Sequence, residues 1–160
     1  MPMSRIFFDT NIFLHTLLAE TECVSCTRLL SKWREIPGVE EAVASCLSFA
    51  NIAYILRKQA GKEKVAPSIN ALLNYVSRLT PNTEEEYSAA FMLRGPDYED
   101  ILQYVNAWMA GCSTIITTNG KDFRRISDPE GVLGEWSPEI LSPEEYLHTA
   151  LENDAGRAAL

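Results

Sequence analysis

The chain has 160 residues, enough for one domain of roughly 100–200 residues whose core needs neither disulfides nor a structural metal. Apolar residues make up 46%, charged residues 22% and aromatics 9%, which excludes a disordered tail protein, a collagen-like chain and a disulfide-dense toxin. With 14 Lys and Arg against 22 Asp and Glu the net charge is −8, the wrong sign for bulk nucleic-acid binding but no bar to an enzyme that carries metal ions in an acidic pocket.

Short apolar runs alternate with longer helical ones. Arg5–Phe8 is continuously apolar after its first residue and reads as a buried strand. Thr10-Asn11 caps a short helix through Ile12, Phe13, Leu14, Leu17 and Leu18. A second helix covers Glu22–Ile36 and stops at Pro37-Gly38. Glu41–Cys46 reads as a strand, and Leu47–Gln59 as a helix ended by Gly61. Helices follow at Pro67–Leu79 and at Thr83–Leu93, the latter closed by Gly95-Pro96.

Asp97–Ala110 has the cleanest helical period, with Ile101, Leu102, Val105, Trp108 and Met109 on one stripe and Gly111 as the closing glycine. Ser113–Thr117 is a second buried strand around Ile115-Ile116. Residues 119–138 read as loop with a short strand near Val132. Ser142-Pro143-Glu144-Glu145 starts a last helix through Leu151. One domain over residues 1–152 and a flexible tail over 153–160 are expected. The alternation predicts an α/β fold, a parallel sheet with helices on both faces.

No apolar run approaches the roughly 18–20 residues of a membrane span. The start of the chain lacks the apolar stretch of a secretory signal, and Cys23, Cys26, Cys46 and Cys112 are scattered. A cytoplasmic protein with reduced thiols is therefore expected.

Carboxylates and amides gather at element ends. Asp9-Thr10-Asn11 follows the first strand, Asp97 and Asp100 open the strongest helix, and Thr117-Thr118-Asn119-Gly120-Lys121-Asp122 follows the Ile115-Ile116 strand. The helix advances roughly 20 Å at ~1.5 Å per residue, and the strand returns roughly 16 Å at ~3.3 Å per residue. Asp100 and Asp122 thus share one edge of the sheet, and a parallel first strand brings Asp9 there too. Crowded carboxylates repel one another, and a hard divalent cation removes that cost. The constellation points to metal-assisted phosphodiester hydrolysis. Each residue also has a plain structural reading: Asp9 as a helix cap, Asp97-x-x-Asp100 as a capping box, Asn119-Gly120 as a turn and Asp122 as a solvated acid.

Four stretches resemble the PIN-domain family of small nucleases, which includes the VapC-like toxins of bacterial toxin–antitoxin systems. They are Ile6–Leu14, Ser45–Tyr54, Asp97–Gln103 and Ile115–Phe123, and Leu141–Leu147 resembles the usual family ending. The resemblance implies a three-layer α/β/α sandwich around a parallel sheet of about four or five strands. It implies Mg²⁺- or Mn²⁺-dependent RNA cleavage by a homodimer restrained by an antitoxin protein. By position, Asp9, Asp100 and Asp122 match the catalytic metal-site acids and Asp97 a less regular further acid. Asn11, Thr117 and Asn119 match polar residues that support the site. Asn51 stands where the family normally has Glu, which implies weaker metal binding and makes a binding module with little cleavage the competing reading.

Other patterns carry less. Cys23-x-x-Cys26 has zinc-like local spacing, but no second pair completes a site. An aspartyl-phosphate hydrolase would favour an acid at position 11, where Asn11 has no proton to give. Arg57-Lys58 and Lys62-x-Lys64 read as solvated surface. Lys121, Arg124 and Arg125 lie beside the acids and are expected to guide an RNA backbone by charge.

Overall fold

A computed structural model describes residues 3–20 and 22–158. Five parallel strands form one sheet in the order β3-β2-β1-β4-β5. They are β1 (Ser4–Phe8), β2 (Val39–Ser45), β3 (Arg78–Thr80), β4 (Thr114–Ile116) and β5 (Glu139–Leu141). The helices are α1 (Thr10–Leu18), α2 (Cys23–Lys32) with a 3₁₀ turn at Trp33–Glu35, α3 (Cys46–Ala60), α4 (Lys62–Leu73), α5 (Glu84–Met92), α6 (Tyr98–Met109), α7 (Gly120–Phe123) and α8 (Pro143–Ala158). No helix among the described residues is long and apolar enough to cross a membrane.

The strand period of two explains why the buried stretches Ile6–Phe8, Ala42–Ala44 and Ile115–Ile116 of the central strands are continuously apolar. Ile6, Phe8, Ala42, Ala44 and Ile116 face one core, which α1, α2, α3, α4 and α8 close. Phe7, Val43 and Ile115 face the other, with Ala107 and Ala110 at the C-terminal end of α6 and Phe123 of α7. Helix α5 packs on α6 through Ala89, Ala90 and Leu93. A strand buried on both faces has no use for polar alternation. This is the three-layer α/β/α arrangement expected from the sequence.

Register fixes which ends meet. Phe7 pairs with Val43 of β2 and with Ile115 of β4, so β1 runs between them in parallel. The chain leaves β1 toward β2 on one side and reaches β4 on the other. That is a topological switch point, and ligand crevices of open α/β sheets form at the carboxyl ends of the strands there.

Several element boundaries differ from expectation. Asp9, not Thr10, holds the N-cap position of α1, and its side chain makes no capping bond. The helix expected over Pro67–Leu79 starts earlier and holds Pro67 inside it, then gives way to β3. The stretch 119–138 contains α7 and no strand at Val132. There the amides of Val132 and Leu133 bind the Asp128 carboxylate at 2.9 and 2.7 Å, so local turn chemistry wins over a sheet. Strand β5 follows that loop, and α8 continues past Leu151 to Ala158. Thr83 and Glu86 form a full capping box at α5, and Asp97 caps α6 by accepting from Asp100 N at 3.1 Å. Gly111 has φ 68° and closes α6, with Gly111 N bound to Trp108 O and Cys112 N to Ala107 O, both at 2.9 Å. Cys26 and Cys112 are buried, and burial pushes the Cys112 thiol up to about 12. The side chain of Cys23 lies outside the described residues.

Candidate active site

Asp9 directly follows β1 and is buried. Its amide continues the ladder to Ile116 O at 3.1 Å, which leaves its carboxylate at the carboxyl edge of the sheet, 1% exposed. Thr117, just beyond β4, donates its hydroxyl to Asp9 Oδ2 at 2.8 Å and accepts from the Asn119 amide at 2.9 Å. The side-chain amide of Gln103 also hydrogen-bonds Asp9. Its Oε1 accepts from Thr10 N at 3.1 Å, Thr10 Oγ1 at 3.3 Å and Ser48 Oγ at 3.3 Å. Gln103 thus ties α6, α1 and α3 to the buried acid.

Around Asp9 lies a cleft of about 470 Å³. Asn11, Asn51, Tyr54, Asp97, Glu99, Asp100, Asn119 and Asp122 line it together with Asp9. The first turn of α6 supplies Glu99 and Asp100, with Asp97 at its cap; α7 supplies Asp122. Asn119 Nδ2 donates to Asp100 Oδ2 at 3.3 Å and to Asp122 Oδ2 at 3.1 Å, so a neutral amide spans two carboxylates.

The acids are short of positive partners. Burial raises Asp9 to about 6, and Glu99 adds to the rise; the bonds from Thr117, Gln103 and the Thr10 backbone work the other way. Burial, then the charges of Asp9, Asp97, Asp122 and Glu99, raises Asp100 to about 7. Arg125 reaches Asp122 only at 3.9 Å. Each oxygen donor here suits a hard cation such as Mg²⁺ or Mn²⁺. Among the described residues, however, no three acidic, His or Cys side chains close into a ready cation cage.

The sequence-derived candidates fall into three groups. Asp9, Asn11, Asn51, Asp97, Asp100, Asn119 and Asp122 line one cleft, and Thr117 stands behind Asp9. Lys121, Arg124 and Arg125 are exposed on or just after α7 and do not line it; Arg124 Nη2 donates to Ile140 O at 2.8 Å. Glu99, Gln103 and Ser48 are the residues that sequence reasoning passed over. Glu99 sits inside the Asp97–Gln103 stretch. Gln103 is a polar residue flanked by the apolar stripe of α6 and buried to 1% exposure, a signal that needs the fold to be seen.

A family model described as "PIN domain" matches residues 5–121. No curated protein matches the chain in sequence. Among solved structures, VapBC2 from Rickettsia felis, bound to a DNA fragment from their promoter, aligns with TM-score 0.61 at 17% identity, covering 86% of this chain and 98% of that one. VapC20 from Mycobacterium tuberculosis, described as a Sarcin-Ricin loop cleaving toxin, aligns with TM-score 0.58 at 16% identity, covering 74% of this chain and 92% of that one.

Two outcomes follow from the crowding and its supports. Folded Asp9 and Asp100 hold protons up to about 6 and about 7, whereas the unfolded carboxyls release them near 3.8. Across that window the folded state binds more protons, so stability falls as pH rises through it. Asp100→Asn should raise the urea midpoint at alkaline pH in EDTA and flatten the pH profile between these limits. Gln103→Leu should cost about 1–3 kcal/mol by leaving the buried Thr10 amide and Ser48 hydroxyl without their acceptor. Urea denaturation read by circular dichroism checks both.

Proposed function

The chain belongs to the PIN-domain family, and from that premise we propose that it is a metal-dependent endoribonuclease that serves as the toxin of a toxin–antitoxin pair. One observation carries the reading: Asp9, Asp97, Asp100 and Asp122 converge on one cleft at the switch point of the sheet with almost no countercharge. An all-oxygen donor set with unneutralised carboxylates fits Mg²⁺ or Mn²⁺. In this reading Asp9, Asp100 and Asp122 hold the ion and Asp97 adds a further carboxylate. A bound divalent cation supplies Lewis-acid stabilisation of the charge that develops on a phosphoryl oxygen and lowers the pKa of water.

The chain's own groups do the positioning. Thr117 and Gln103 fix the Asp9 carboxylate by hydrogen bonds. Asn119 donates to Asp100 and Asp122, so the amide and a cation compete for the same oxygens and Asn119 sets how readily the pair opens. Asn11 and Asn51 line the same cleft, where their amides would add neutral oxygen donors. Lys121, Arg124 and Arg125 supply positive charge beside the acids that draws an RNA backbone in. VapC20 is described as a Sarcin-Ricin loop cleaving toxin, which favours cleavage of a nucleic acid, and VapBC2 favours an antitoxin partner. A homodimer and a cytoplasmic location belong to the same proposal.

Asn51 favours a second reading, a module that binds metal, RNA or a protein partner with little turnover. It leaves α3 without a carboxylate in the cleft.

An RNA cleavage assay with purified protein separates the two readings. Wild type should cleave single-stranded RNA with Mn²⁺ and not with EDTA, and Asp9→Asn should fall to background. Cleavage that survives Asp9→Asn would place the activity at another site or in a contaminant, and Mn²⁺ binding without turnover would favour the module. Asn51→Glu should tighten Mn²⁺ binding by about tenfold or more in calorimetry. Unchanged affinity would put residue 51 out of reach of the ion.

A further inference from the structure

The walls of the cleft differ in chemistry. Its carboxylates come from the end of β1, from the start of α6 and from α7. The wall formed by α3 contributes Asn51, Tyr54 and Ile55, none of them charged. Tyr54 lines the cleft yet is 60% exposed. Lys58 Nζ rests 4.4 Å from the centroid of its ring. Asn51, Tyr54, Ile55 and Lys58 recur at helical spacing, so they form one stripe on α3. The cation both orients the ring and sets a positive charge beside the uncharged wall. By charge alone Arg57-Lys58 reads as solvated surface, and the ring contact gives Lys58 a fixed place.

We propose that Tyr54 and Lys58 form a nucleobase subsite, where one unpaired base of a single-stranded RNA stacks on the Tyr54 face opposite the one Lys58 covers and Lys58 meets the adjoining phosphate. This rests on reading the cleft as a ribonuclease site. The partition of the walls carries the argument. The scissile phosphate belongs with the acids and the cation they attract. Its base then turns toward the uncharged aromatic wall. An exposed ring beside a cation matches a nucleotide on both counts, since every base has a π-face and every nucleotide an anion. Duplex RNA keeps those faces stacked inside. The subsite therefore selects single strands and tolerates any base.

Fluorescence anisotropy tests this with a labelled single-stranded oligoribonucleotide, Ca²⁺ replacing Mn²⁺ to slow cleavage. Tyr54→Ala should weaken binding by about tenfold, and Tyr54→Phe should keep it. Lys58→Gln should weaken binding and reduce the salt slope by about one. With an abasic oligonucleotide, wild type and Tyr54→Ala should bind alike. If Tyr54→Ala binds the normal strand as well as wild type does, or loses as much with the abasic strand, the subsite is overturned while the ribonuclease reading stands. If wild type binds no RNA, both fall.

Discussion

Carboxylate crowding around a buried acid is the constraint on which the rest of this molecule turns. Asp9 follows three residues buried on both faces of the sheet, so its carboxylate is carried into the protein by the packing of Ile6, Phe7 and Phe8. Neutral dipoles from Thr117, Gln103 and the Thr10 backbone answer it in part. They leave the acid with its pKa raised, and they do nothing for Asp100, which feels four neighbouring acids. A fold needs no such arrangement for its own stability, since repulsion among fixed charges opposes the compact state. At the switch point of the sheet an incomplete charge balance would attract a cation, and that is the purpose we propose for the cost.

The supporting architecture follows from the same place. Parallel pairing of β1 with β4 sets Thr117 against Asp9 across more than a hundred residues of sequence. The chain then turns through Asn119 into α7 and returns Asp122 to the cleft. Asp97 takes two roles at once, capping α6 and lining the cleft. A separate, partly buried chain runs from Ser45 through Asn82 and Asn106 to Glu86, with Asn82 held at φ 58°. It fastens the first turn of α3 to α5 and α6 and so holds the walls of the cleft in register.

The most legible features in the sequence were those whose signal is local. The apolar run before Asp9, the period of α6 and the polar string after Ile116 each state their structure within a few residues. Strands β3 and β5 were not legible because three residues at a sheet edge carry too short a pattern. The start of α4 is hidden by Pro67, since a proline suits a first turn better than the helix interior it occupies here. The role of Gln103 depends on Thr10 and Ser48, partners far away in sequence. The orientation of Arg124 was equally hidden, because the Ile140 carbonyl that holds it belongs to a strand the pattern did not reveal.

Anomalous diffraction from crystals grown with Mn²⁺ at alkaline pH examines the cation claim most directly. A peak should stand in the cleft within bonding distance, about 2.0–2.6 Å, of carboxylate oxygens from Asp9, Asp100 and Asp122. Saturating Mn²⁺ with no peak there, or a peak held only by other residues, would contradict it.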